Sequence, residues 1–144
     1  MEINGKNYQF AKLSARKQFH IMRRLTPVIS DFAPVLKLLN TSKDADQTDL
    51  GLEVIEHIGK ALGALNDADA DFVLDGLLDS VSRDNGQGLG FTPIRVNGVG
   101  MYSADIDMPT ELILAFHAIK ANFADFIPAI RSIIAKSQLA PSVQ

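Results

Sequence analysis

The feature that most constrains this chain is an apolar stripe near its C-terminal end. Leu112, Phe116, Ile119, Phe123, Ile127, Ile130 and Ile134 recur at steps of three and four, the spacing that lines up one face of a helix. The stripe runs for about six turns at 3.6 residues per turn. A helix of that kind does not stand alone, because ordering its backbone costs at least as much as an isolated face returns. It needs partners, and the rest of the chain has to supply them. Asp107 and Pro109 mark its start, as cap and first-turn proline. Pro128 is expected to bend it near Ala124, whose carbonyl loses its amide partner.

The partner segments are also helical. Ser14 is a plausible N-cap for SARKQFHIMRRL, and Phe19, Met22, Leu25, Ile29, Phe32 and Leu36 form a second stripe. Pro27 and Pro34 interrupt it and should kink it or split it in two. Residues 40–49 are polar and charged and read as the most mobile surface loop. From Leu50 to Leu65 the stripe resumes through Ile55, Ile58, Leu62 and Leu65, although Gly51, Gly59 and Gly63 each weaken the helix by about 1 kcal/mol. Asn66 or Asp67 can cap a further helix, with Asp67, Asp69 and Asp71 at its positive end and Val73, Leu74, Leu77, Leu78 and Val81 on its apolar face. That helix stops at SRDNGQGLG, where three glycines allow loop geometries.

Two Asn-Gly pairs point to hairpins, since both residues tolerate the positive φ of a type I′ turn. Asn4-Gly5 sits between short runs carrying Ile3, Tyr8, Phe10 and Leu13, and Asn97-Gly98 lies within Phe91 to Tyr102. The expected fold is therefore mainly α: one domain over residues 1–137, with four to five packed helices, short hairpins near residues 2–13 and 91–104, and a frayed tail at 138–144. With 144 residues, 47% of them hydrophobic, one core is the natural expectation. No apolar run reaches the roughly 18 residues of a membrane span. The start MEINGKNYQF has no basic region followed by an apolar stretch, so no signal peptide is expected.

Little in the sequence suggests chemistry. There is no cysteine, which removes disulfides, thiolate zinc sites and cysteine nucleophiles. His20, His57 and His117 fall on three different helices without metal-ligand spacing. The DADAD run at Asp67 to Asp71 begins like a calcium loop. It fails where Phe72 replaces the required glycine and Leu78 the bidentate glutamate. GQGLG lacks a third glycine at dinucleotide spacing and any following Gly-Lys-Ser or Gly-Lys-Thr. Ser80, Ser82 and Ser103 have no nucleophile elbow around them. No catalytic, metal or cofactor residues are assigned, and no cofactor is expected.

Charge is more informative. The net charge is −3, but residues 1–43 carry eight Lys and Arg against Glu2 and Asp31, giving +6, and the remainder carries −9. No acid interrupts the stretch from Lys6 to Ser30. Arg16, Arg23 and Lys12, with Lys17 and Arg24 nearby, make a cationic helix that reads as an ordinary solvated face or fits an acidic protein partner, the chain's own acidic helices (Glu53, Glu56 or Asp75), or nucleic acid through residues 12–24. Arg16, Arg23 and Arg24 are the candidate partner-binding residues.

Three stretches together carry a resemblance. KQFHIMRRLTPVI following the INGKNYQFAKL hairpin, then LLDSVSRDNGQGLGFTPI, then YSADIDMPTELILAF resemble, in order and spacing, the small tail assembly chaperones of contractile-tailed and related bacteriophages. The resemblance implies a non-catalytic protein that binds the tape measure protein, keeps its long apolar helices soluble and helps tail tube subunits assemble. It implies a place in the bacterial host cytoplasm and absence from the finished virion. A nucleic-acid-binding regulator using the basic helix is the first alternative, and an enzyme with an unrecognised site is the second.

Overall fold

The computed structural model describes residues 1–41, 47–96, 99–100 and 105–126, together with 128, 132, 135 and 136. The chain opens with a hairpin of β1 (Glu2–Ile3) and β2 (Lys6–Phe10). Asn4 and Gly5 between them have φ of 52° and 78°, the two positive values that a type I′ turn requires and that Asn-Gly supplies at little steric cost. The stretch after β2 leads to Ser14, whose hydroxyl accepts from the Lys17 amide and starts α1 (Ala15–Leu25).

Pro27 stands in the first turn of the next segment, where its missing N–H is harmless. The chain there tightens into a 3-10 segment, Thr26–Phe32, with Val28 out of helical geometry, before α2 (Ala33–Thr41). The break expected from the two prolines is therefore present. The polar stretch expected as a loop over 40–49 is shorter than that, since α2 runs through Thr41 and α3 (Gln47–Gly63) begins at Gln47. The residues between them lie outside the described set. Next, the Asn66 side chain accepts from the Asp69 amide and caps α4 (Asp67–Leu78).

Val81 is a correction. The sequence places it on the apolar face of α4, but the helix ends at Leu78 and Val81 opens β3 (Val81–Asp84). Val81 is buried as expected, but in a strand and not in the helix. β3 pairs antiparallel with β2, setting Tyr8 opposite Arg83, and with β4 (Phe91–Pro93) on its other side. The result is a four-stranded sheet in the order β1-β2-β3-β4. The second hairpin begins later than residue 91, and its expected Asn97-Gly98 turn and residues 101–104 lie outside the described residues. β5 (Arg95–Val96) pairs with β6 (Val99–Gly100), while the Phe91 end belongs to the larger sheet.

Asp107 caps α5 (Met108–Phe123) by accepting from the Thr110 amide. The helix then tightens into a 3-10 turn, Ala124–Phe126, where Pro128 was expected to disturb it. The later positions of the stripe, Ile127, Ile130 and Ile134, lie outside the described residues, as does the expected frayed tail at 138–144.

α5 is the centre of the core. It packs against α3, α4 and β2, and Leu114, Phe116 and Ala118 are fully buried along it. α1 lies on α4, close enough that a Cβ at Gly76 would sit 3.0 Å from Ile21 Cδ1. Gly76 thus sets the approach of those two helices. Most of the second stripe faces the core: Leu25, Phe32 and Leu36 are buried and Met22 and Ile29 pack partly buried against it, joined by Ile21, Val28 and Val35, whereas Phe19 is 58% exposed. A proline-broken segment cannot keep one face turned inward along its whole length, and α1 offers its Ile21–Leu25 edge to the core.

Candidate functional site

α1 divides into faces of different chemistry. Ile21 and Leu25 enter the core. On another side the Gln18 amide donates to the Asn122 carbonyl and Oδ1, both at 3.2 Å, which fixes α1 to the end of α5. Two cations turn towards the acidic α4 side. Lys17 Nζ lies 2.6 Å from Asp79, and Arg24 Nη1 lies 2.5 Å from Asp69, with the Arg24 guanidinium also 4.2 Å from the centre of the Phe72 ring.

The remaining face is open. Arg16 and Arg23 are exposed, and among the described residues neither makes an ion pair. Of the three candidate arginines, then, two share a solvent face and the third is engaged within the fold. Its partner is Asp69 rather than Glu53, Glu56 or Asp75. Asp75 instead meets Arg95, which also reaches Asp79 at 3.0 Å. Having Arg23 and Arg24 in the last turn of α1 suits the negative end of the helix dipole.

Beside α1 lies a small apolar pocket lined by Met22, Leu25, Ile29, Phe32, Leu36, Leu39, Ile119 and Phe123, all of them buried in the core except Met22 and Ile29, which are partly exposed. Three consecutive segments, α1, the 3-10 stretch and α2, form one wall and α5 the other. No polar side chain lines it. A pocket so small and apolar offers nothing to hold or orient a reacting group.

The other residues singled out in the sequence sit elsewhere. His20, His57 and His117 belong to α1, α3 and α5. His117 is largely buried between Phe10 and Phe116, with ring centroids 5.8 and 5.3 Å away. Burial first, then the charges of Lys120 and the N-terminal ammonium, push its pKa down to about 4. The DADAD carboxylates serve the helix start and the Arg24 pair. GQGLG is part of the β3–β4 connection, in which Gly86, Gln87, Gly88 and Gly90 all have positive φ. Ser80 is buried and donates to the Leu77 carbonyl at 2.7 Å, Ser82 is in β3, and Ser103 lies outside the described residues.

Two polar features escaped the sequence reading. Asn122 is buried, and its side chain accepts from the Leu13 amide at 2.6 Å and donates to the Ala118 and Ala11 carbonyls. Arg83 is buried in β3 and bonded to Asp105 at 2.8 Å. Burial opposes the Arg83 charge, and bonds to Asp105 and the Tyr8 hydroxyl outweigh it, while Arg83 holds the Asp105 carboxyl below its usual range. A composition pattern could have flagged neither, since both depend on residues distant in sequence.

The described residues form a mainly helical fold with a small four-stranded antiparallel sheet, and α1 carries two exposed arginines. Among the described residues no helix is long and apolar enough to cross a membrane. The model of the phage tail assembly chaperone protein family, TAC, matches residues 4–135, and the chain belongs to that family. Comparison with curated proteins and with solved structures returned no match.

Proposed function

We propose that this tail assembly chaperone binds the tape measure protein. In this reading it shields the long apolar helices of that protein until tail tube subunits assemble around them, with contact to the tube protein as a second role. It works without catalysis, in the host cytoplasm, and leaves before the virion is complete. What supports the reading is membership of the tail assembly chaperone family over residues 4–135, with Arg16, Phe19 and Arg23 exposed together on α1. An apolar helix in water needs a partner that covers its face. The arginines act mainly on encounter, because exposed ion pairs contribute only about 0.2–1 kcal/mol each.

The nucleic-acid reading is less well supported. Lys17 and Arg24 are already answered by Asp79 and Asp69, so the helix has less positive charge for phosphates than its sequence suggests.

Co-expression with a fragment of the tape measure protein tests the proposal. The fragment should be soluble and co-elute with the chaperone, and Arg16→Gln/Arg23→Gln should slow association and flatten its salt dependence. A fragment equally soluble alone, with no complex on size exclusion, would sink the reading. Salt-dependent, micromolar binding to duplex DNA would favour the alternative.

A further inference from the structure

We infer that Asn85-Gly86, in the β3–β4 connection, is a self-modification site. The Gly86 amide nitrogen closes on the Asn85 side-chain carbonyl carbon and the chain loses ammonia there, while Asn4-Gly5 stays intact. Asn-Gly is the dipeptide in which this ring closure is least obstructed, because glycine brings no side chain to the attacking nitrogen. The sequence holds it at Asn4, Asn85 and Asn97, and Asn97 lies outside the described residues. The two described copies differ in what surrounds them.

At Asn85 both the attacking and the leaving nitrogen have a proton partner. The Gly86 N–H donates to Asp84 Oδ1 at 2.9 Å, so the attacking nitrogen already points its hydrogen at a carboxylate within the reach of a general base. Asn85 Nδ2, the leaving nitrogen, donates to Thr92 Oγ1 at 2.7 Å, and that hydroxyl can rotate to return a proton to it. Asn85 is exposed, and Gly86, with φ of 83°, has open space where a Cβ would stand, so water reaches the ring once it forms. Asn4 has none of this. It is held in the type I′ turn with Gly5, both at positive φ, and its side-chain amide is tied at 2.6 Å to Thr110 Oγ1, on a residue that is fully enclosed. Among the described residues the Gly5 amide makes no bond to a carboxylate.

In the reaction the Gly86 N–Asn85 Cγ bond forms and the Cγ–Nδ2 bond breaks. The Gly86 proton passes to Asp84, and the departing nitrogen takes up a proton and leaves as ammonia. Water then opens the succinimide at either carbonyl, leaving aspartate or isoaspartate at position 85 and an added negative charge. Isoaspartate lengthens the main chain by a methylene beside the bond from Asn85 N to Gly90 O, which loosens the β3–β4 hairpin.

Trypsin releases residues 1–6 and 84–95 as separate peptides, so mass spectrometry of the full chain aged in neutral buffer reads the two sites independently. In the folded chain position 85 should convert at least about tenfold faster than position 4. In guanidinium chloride, where only the shared dipeptide counts, the two rates should be similar, and position 85 should be slower there than in the folded chain. Asp84→Ala and Thr92→Val, each with an unchanged melting temperature, should slow position 85 towards its unfolded rate. If either variant melts lower, the comparison of folded and unfolded wild-type chain decides alone. A folded rate at position 85 below its unfolded rate would mean that these hydrogen bonds protect the amide, and would overturn the inference. Equal folded rates at the two positions, or a rate that neither stable variant changes, would do the same.

Discussion

Asn122 holds together parts of the chain more than 100 residues apart in sequence. Its side chain accepts from the Leu13 amide and Gln18 and donates to the Ala11 and Ala118 carbonyls, so the link between β2 and α1 is fastened to α5 by one amide. A buried donor left without its partner costs about 1–3 kcal/mol. Asn122→Ala, which strands the Leu13 amide and the Ala11 carbonyl, should lower stability by about 2–4 kcal/mol in urea unfolding; a loss under 1 kcal/mol would mean that water takes over the amide's role. The phenylalanines give a second test, because one residue type occupies opposite environments. Phe116 has no solvent exposure and Phe19 has 58%. Phe116→Ala should cost about 3–5 kcal/mol through a cavity at the centre of the core, and Phe19→Ala should stay within about 0.5 kcal/mol. A measured order reversed from this would mean that α1 turns a different face to the core.

At the level of elements, α1 separates into a face that stabilises and a face that is free. Arg24 is tied to Asp69 and stacks over Phe72, but pair and ring lie near the surface, where such contacts contribute up to about 1 kcal/mol. Arg24→Gln should therefore lower stability by about that amount, and Arg16→Gln and Arg23→Gln by nothing measurable; thermal melts of the three single variants separate them. The helices were largely legible in the sequence because their signals are local. Ser14, Asn66 and Asp107 act as caps where a short polar side chain precedes a helical stripe, and Pro27 stands where the first helix ends. The Asn4-Gly5 turn was legible for the same reason. β3 was not. Val81 lies four residues after Leu77, so it continues a helical stripe on paper, and what makes it a strand is pairing with Phe10, some 70 residues earlier. The exposure of Phe19 was hidden likewise, since periodicity locates a stripe and only the neighbouring helix decides which edge of it is covered. Of the candidate site, the cationic helix could be read directly. Which of its arginines is taken up by α4 depends on packing.

For the molecule as a whole, the sequence's basic N-terminal third and acidic remainder are not kept apart. Lys17–Asp79 and Arg24–Asp69 join them across the α1–α4 contact, so part of the charge contrast is spent inside the fold and Arg16 and Arg23 carry what remains on α1. The same packing makes the fold sensitive to acid. β2 and α5 enclose His117, and burial beside Phe10 and Phe116, aided by Lys120 and the N-terminal ammonium, lowers its pKa from 6.5 to about 4. A base depressed in this way is neutral when folded and protonated when unfolded between those two values, so the unfolded state binds the extra proton. Its contribution is complete above about pH 6.5 and is lost as pH falls towards 4, at a limiting slope of about 1.4 kcal/mol per pH unit. Other groups act in different directions or lower windows. Burial, with Asp75 and Asp71 nearby, raises Glu111 and so works in the opposite sense near its own range, while the bonds from Thr110 and Arg83 lower Asp107 and Asp105 and cost stability only as pH falls through and below the ordinary carboxylate value of 3.8. Urea unfolding of the wild-type chain should therefore lose about 2 kcal/mol between pH 7 and pH 5. His117→Phe keeps an aromatic ring against Phe10 and removes the titration, and its loss over the same interval should fall below about 1 kcal/mol. If the two proteins show the same pH dependence, His117 is solvated in the folded chain and the packing of β2 on α5 is looser than its buried neighbours imply.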